Sequence, residues 1–327
     1  MSERTPLIQT IGLKKYFSTP KGLLHAVDDI NFSVFQGKTL GLVGESGCGK
    51  STLGRLMINL LPASEGQVLY NGENILGYSR AKMKEMRKKM QIIFQDPYAS
   101  LDPRKPVCEL IAEPLVINRV YKTSAELEKR ITYLMDIVGL ASRLRNAYPH
   151  ELDGGRRQRI GIARALSITP EFIICDEPVS SLDVSIQAQI LNLLMDLQEE
   201  LGLTYVFITH DLSVVKHISD EIAVMYLGQC VEKAPSKELY KNPIHPYTRA
   251  LLSAVPVPKI NRSLHDREIL TGELVSPINP KPGCRFQPRC SYYKEGVCDQ
   301  TGMRLVEVTK DHYVMCPMIT QEGEARP

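Results

Sequence analysis

The stretch TLGLVGESGCGKSTLGRLMINLL, from Thr39 to Leu61, constrains this chain more than any other. Gly44, Glu45, Ser46, Gly47, Cys48, Gly49, Lys50 and Ser51 fit the spacing G-x-x-x-x-G-K-S. A compact apolar strand leads in, and KSTLGRLMINLL, with Thr52 in its first turn, reads as a helix. Glycines at a strand-to-helix turn let backbone N–H groups converge at the helix start, where the partial positive charge favours an anion. Lys50 adds a point charge suited to β- and γ-phosphates, and Ser51 adds a hydroxyl suited to Mg²⁺. A glycine turn ahead of an ordinary helix would not need this lysine and hydroxyl at this spacing.

Such a loop needs acids on a nearby strand. FIICDE, Phe172 to Glu177, is an apolar strand ending in two carboxylates. Asp176 is expected to hold Mg²⁺, directly or through water, and Glu177 to orient or deprotonate water. Cys175 beside them reads as core packing. Three more polar groups end apolar runs. Gln95 follows MQIIF and can sense Mg²⁺ or water. His210 follows YVFIT and can donate to a γ-phosphate. Ser181-Leu182-Asp183 follows the acids. Around these, GQVLYNGENI predicts two short strands about an Asn-Gly turn. SAELEKRITYLMDIVGL, RRQRIGIARALSI and SIQAQILNLLMDLQEE predict helices. Strands alternating with helices predict an α/β sheet.

Composition sets wide bounds. The chain has 327 residues, 43% of them apolar, which is enough for a core. A net charge of +3 neither demands nor excludes nucleic acid. No secretory signal and no run of 18 apolar residues is found, so the chain is expected not to span the bilayer by itself, which leaves docking onto membrane proteins open. Eight cysteines are unevenly placed. Cys48, Cys108, Cys175 and Cys230 are scattered, whereas Cys284, Cys290, Cys298 and Cys316 crowd the end, with 5, 7 and 17 residues between them. Disulfides are disfavoured in the cytosol expected for this chain. Thiolates can hold zinc or an iron–sulfur cluster, and this spacing, which lacks a C-x-x-C pair, does not choose between them.

Taken together the motifs resemble those of the ATPase subunit of an ABC transporter. The matching parts are the Walker A loop Gly44–Ser51, the Q-loop residue Gln95, a signature at Leu152-Asp153-Gly154-Gly155-Arg156, Walker B at Phe172–Asp176 with Glu177, the D-loop Ser181–Asp183 and the switch residue His210. They cover the first 235 or so residues. The resemblance implies an α/β P-loop NTPase of ABC type with a helical subdomain at about 97–160. It implies head-to-tail dimers around two ATP molecules, each bound between one subunit's Walker A loop and the other's signature. It also implies an aromatic near the start that stacks on adenine; in LKKYF the best match is Phe17, with Tyr16 second. Asp153 and Arg156 depart from the usual L-S-G-G-Q. A carboxylate cannot donate as the serine hydroxyl does unless protonated. Asp153 is therefore expected to cap the following helix or to pair with Arg156 or Arg157, and to weaken the composite site at the partner's Walker A loop.

The tail narrows the resemblance. NPIHPYTRALLSAVP and SPINPKPGCRFQPRC are similar to the C-terminal extension of oligopeptide and dipeptide importer ATPases, and the whole chain is most like the second, F-type, of their two ATPases. This implies an ATPase domain at 1–235 and a small irregular cysteine-containing extension at 236–327. It implies a homologous D-type ATPase partner, two permease subunits and, indirectly, an extracytoplasmic binding protein, with the chain peripheral on the cytoplasmic face of the membrane. For Cys284, Cys290, Cys298 and Cys316 it favours a [4Fe–4S] cluster. Cargoes in related systems include oligosaccharides and nickel. A nucleic-acid-associated ABC ATPase is the other class of reading, but an importer-type tail makes nucleic acid an unexpected partner.

Overall fold

The structure, a computed structural model, describes residues 5–255 and 276–319. It forms two compact units: one from the described residues of 1–35, 39–76 and 209–327, the other from 36–38 and 77–208.

The first unit begins with β1 (Ile8–Thr19) and β2 (Gly22–Val34), an antiparallel pair. Both are long, at 12 and 13 residues. Register shifts between Thr10, Leu13, Lys15 and Tyr16 bend β1, and such bulges break the plain alternation that marks a long strand in sequence. β3 (Thr39–Val43) is buried throughout, and after the glycine loop comes α1 (Lys50–Met57). β4 (Glu65–Tyr70) and β5 (Glu73–Asn74) close about Asn71 and Gly72, at φ 48° and 82°. That is the turn the Asn-Gly pair predicts. These strands make an antiparallel sheet in the order β2-β1-β4-β5.

The second unit starts with α2 (Arg80–Lys89), which no apolar periodicity announces, since only Met83 and Met86 are buried. β6 (Met90–Ile93) leads to α3 (Pro97–Ser100), α4 (Val107–Ile117) and α5 (Ser124–Ile137). A reciprocal Thr123–Glu126 capping box starts α5, which buries Ile131, Leu134 and Met135. α6 (Gly154–Leu166), β7 (Phe172–Asp176), α7 (Val184–Leu201) and β8 (Thr204–Ile208) complete the unit. β6, β7 and β8 pair in parallel. β7 and β8 are buried at every position, which is why they read as continuous apolar runs.

The chain returns to the first unit with α8 (Leu212–Ile218), β9 (Glu221–Tyr226) and β10 (Gln229–Pro235). β9 lies parallel to β3 and antiparallel to β10. The tail adds α9 (Ser236–Lys241), α10 (Pro246–Ala254), β11 (Val306–Thr309) and β12 (His312–Val314). β12 pairs with β10, joining Glu232 to Val314 and Lys233 to Tyr313. The end of the expected extension is thus a strand of the same ladder as β9 and β10. Residues 256–275 and 320–327 of that expected extension lie outside the described residues.

Candidate functional site

β3 delivers the chain into the glycine loop. Gly44, Gly47 and Gly49 adopt φ 150°, 77° and 105°, values that L-residues with side chains rarely hold. A Cβ at Gly44 would lie 2.2 Å from the Met225 carbonyl oxygen, and one at Gly49 would lie 2.1 Å from that of Ala26. The loop therefore presses against β9 and β2 and stays glycine for steric reasons. Lys50, 5% exposed, opens α1 and donates from Nζ to the carbonyls of Gly44 at 2.8 Å and Glu45 at 3.0 Å. Its ammonium is held against the loop's own carbonyls. Burial pushes the Cys48 thiol up, with Lys50 opposing, so this cysteine is a neutral packing residue. The glycine backbone, the ammonium and the hydroxyls of Ser51 and Thr52 make a donor set suited to a polyphosphate and a hard cation.

In the second unit the carboxyl end of β7 carries the two acids. Asp176 is 3% exposed. Glu177 turns out of the strand at φ 47°, its N–H donating to the Ile208 carbonyl at 2.9 Å. Gln95, just past β6, donates from Nε2 to Glu177 Oε2 at 2.9 Å. Two residues singled out separately in the sequence are thereby joined, and the amide orients the carboxylate. Ser180 donates to the Glu177 carbonyl at 3.1 Å, tightening the turn that leads to Asp183 at the start of α7. Hard oxygen donors at Asp176, Gln95 and Glu177 are of the kind Mg²⁺ takes.

His210 follows β8 and is exposed. Of the two candidate aromatics, Tyr16 is engaged at both ends: its ring lies 4.1 Å from that of His25, and its hydroxyl donates to Asp28 Oδ1 at 2.5 Å. Phe17 is half-buried with the Lys15 ammonium 4.9 Å from its ring centre.

Leu152 is buried, and Asp153 is the N-cap of α6: Oδ1 accepts from the Arg156 N–H at 2.8 Å, and Oδ2 pairs with the Arg156 guanidinium at 2.7 Å. The carboxylate's two oxygens are thus turned onto its own helix, as expected. The glycines have a local reason as well. A Cβ on Gly154 would meet Leu182 at 2.9 Å, and one on Gly155 would meet Ile186 at 2.6 Å. The helix start packs tightly on the turn after β7 and on α7.

The cluster expected at Cys284, Cys290, Cys298 and Cys316 is corrected. Among the described residues, no group of three or more His, Cys, Asp or Glu side chains is arranged to hold a metal ion. Burial pushes the Cys284 thiol up to about 12 and the Cys316 thiol up to about 11. Neither a [4Fe–4S] nor a zinc assignment is kept. The tail is held by other means. The rings of Tyr226, Tyr247 and Phe286 pack with centres 4.7 to 5.4 Å apart. The buried Glu232 pairs with the buried His312 at 2.7 Å. Arg285 pairs with Asp28, whose carboxyl burial pushes up, while the Tyr16 hydrogen bond and Arg285 outweigh that and hold it below its usual range. Tyr247, Arg285 and Phe286 lie in the two tail stretches that carry the resemblance, and Tyr16 is one of the two candidate aromatics, but nothing in the sequence pairs any of these residues with its partner.

The ABC transporter family profile matches residues 27–180. A dimeric structure of the ATP-binding cassette MJ0796 bound to ADP and Pi superposes with a TM-score of 0.65 at 27% identity, over 70% of this chain and 98% of that one. The cbiO1 structure from Clostridium perfringens gives 0.65 at 29%, over 72% and 91%. The fold is therefore an ABC-type P-loop NTPase, and the protein is an ATPase of that class. A second profile, the C-terminal region of oligopeptide/dipeptide transporters, matches residues 231–298. The oligopeptide transport ATP-binding protein OppF of Bacillus subtilis is 52% identical over 95% of this chain and 96% of its own length. The dipeptide transport ATP-binding protein DppF of Haemophilus influenzae is 50% identical over 97% and 98%. The chain belongs to the ATP-binding subunits of oligopeptide and dipeptide ABC importers. Members of this family serve a transport complex of ATPase, permease and binding-protein subunits, and no helix among the described residues is long and apolar enough to cross a membrane.

Proposed function

We propose that the chain powers uptake of di- and oligopeptides from the cytoplasmic face of the membrane, in a head-to-tail dimer with a homologous D-type ATPase docked on two permeases that a binding protein supplies. The ATPase domain is 1–235 and the extension 236–327. The loop from Gly44 to Ser51, with Thr52, binds the triphosphate, Lys50 contacts its terminal phosphates, and Phe17 stacks on adenine, with Tyr16 the second candidate. Mg²⁺, when bound, offsets the negative charge of the phosphate oxygens; Ser51, Asp176 and Gln95 are its candidate ligands. Glu177, held by Gln95, takes the proton of the attacking water, and His210 donates to the γ-phosphate. Leu152–Arg156 and Asp183 face the partner's nucleotide.

The observation that carries this reading of the site is the buried Lys50 ammonium, gathered at a glycine loop that opens a helix. The assembled transporter in proteoliposomes, given ATP and a labelled dipeptide, tests it. Lys50→Ala should abolish ATP binding and uptake. Glu177→Gln should keep ATP bound while hydrolysis falls by about 10²–10⁴-fold. Normal ATP-driven uptake by Lys50→Ala would overturn the site. Hydrolysis by the intact complex without peptide accumulation, for any peptide length, would overturn the cargo.

A further inference from the structure

Glu45, the second residue of the phosphate loop, is gripped from three directions. Its N–H donates to the Tyr247 hydroxyl at 3.0 Å, and its carbonyl accepts from Lys50 Nζ at 3.0 Å. Its carboxylate takes both guanidinium nitrogens of Arg289, Nη1 to Oε2 at 2.9 Å and Nη2 to Oε1 at 3.1 Å. This fork is largely withdrawn from water, with side chains 7% exposed for Arg289 and 24% for Glu45. Tyr247 and Arg289 both belong to the tail. Tyr247 is fully buried against Tyr226 and Phe286, and Arg289 closes a short turn three residues after Phe286. The tail also reaches the neighbouring turn, where Arg285 donates to the Leu227 carbonyl and Gly228 donates to the Cys48 carbonyl at 2.9 Å.

Two physical consequences follow. A loop with three glycines in the left-handed region is soft, and a bidentate ion pair with a buried anchor restrains it. A carboxylate on a loop that receives a triphosphate repels its ligand unless a cation is fixed beside it. Lys50 does not serve here, because its ammonium is directed at the loop's carbonyls.

We infer that Arg289 is a positioning residue for ATP: through its fork on Glu45, the C-terminal extension sets the shape and charge of the phosphate loop, so nucleotide affinity depends on the tail. The inference rests on the reading of Gly44–Ser51 as the ATP loop.

The test uses the assembled transporter, with MgATP binding and the KM and kcat of hydrolysis as readouts. Arg289→Ala should raise KM and Kd for MgATP about tenfold, with kcat within about twofold. Arg289→Lys keeps the charge but loses the fork and should fall between Ala and the parent. Adding Glu45→Gln to Arg289→Ala removes the uncompensated carboxylate and should recover most of the lost affinity. A tail that merely loosens would not be rescued by a change in the loop. If Arg289→Ala does not assemble, Arg289→Gln replaces it, with the same outcomes expected. Unchanged affinity in the single variant, or a double variant no better than the single, overturns the inference. Lys50→Ala separates the two readings: if it loses ATP while the Arg289 variants do not, only the tail's role fails, and if it still binds ATP the loop assignment itself fails.

Discussion

Glu232 offers the sharpest test of how the tail is anchored. It sits on β10 with no exposed surface. Oε1 accepts the Ile244 N–H at 2.8 Å and faces His312 Nε2 at 2.7 Å, and Oε2 accepts the His245 N–H at 2.9 Å. Glu232→Ala strands these three buried donors. Each lost partner costs roughly 1–3 kcal/mol, and relaxation with water entry trims the sum to about 3–5 kcal/mol. Glu232→Gln keeps the shape and one acceptor oxygen. That oxygen can stay on Ile244 and His312, but the amide group then faces the His245 N–H, so the cost is one bond, about 1–3 kcal/mol. The order of stability should therefore be parent, then Gln, then Ala. The chain has no tryptophan, so urea unfolding at pH 7 is followed by tyrosine signal and circular dichroism, with amide exchange at Ile244, His245 and Met315 reporting local opening. An Ala variant within about 1 kcal/mol of the parent, or a Gln variant less stable than Ala, would refute the reasoning.

Other consequences are as direct. Asp153→Ala removes the cap of α6 and should cost about 1 kcal/mol in thermal or urea unfolding, whereas Asp153→Ser keeps a cap acceptor and should cost a few tenths. In the full transporter Asp153→Ser should raise ATP occupancy at the partner's Walker A loop; unchanged occupancy and rate would dismiss an unequal pair of sites. His245 is buried among Glu232 and Arg249, and burial holds its pKa down from 6.5 to about 4. The unfolded chain then binds a proton that the folded chain refuses between those values. Stability should be fully present above about pH 6.5 and fall as pH drops toward 4, by up to roughly 3 kcal/mol. Melting temperature against pH should show this slope, and His245→Asn, which keeps an acceptor for the Tyr247 N–H, should flatten it. Gly155→Val would drive a side chain into Ile186 and should cost about 1–3 kcal/mol, read as a fall in melting temperature; an unchanged melt would remove the packing reason for that glycine.

The parts legible in the sequence share one property: their signal is local. The glycine loop, the Asn-Gly hairpin, the periodic run of α5 and the apolar runs of β6, β7 and β8 each lie within a few consecutive residues whose periodicity or turn chemistry has few solutions. Where local signals were weak, the reading lost detail. Bulges hid the length of β1, charge hid α2, and the strands β11 and β12 carry too few apolar residues to announce themselves. The four tail cysteines show the opposite failure, since crowding in sequence suggests a shared ligand, whereas among the described residues no three potential metal ligands are gathered to hold one.

Sequence alone marked the candidates: residues suited to binding phosphate and activating water, and the acid that caps α6, because such suitability depends on residue type at short spacing. Tertiary structure decided how that chemistry is held. Arg289 and Glu45 stand 244 positions apart, as Glu232 and His312 stand 80 apart. No periodicity links such pairs, because only the folded chain brings them together and excludes the water that would otherwise screen them.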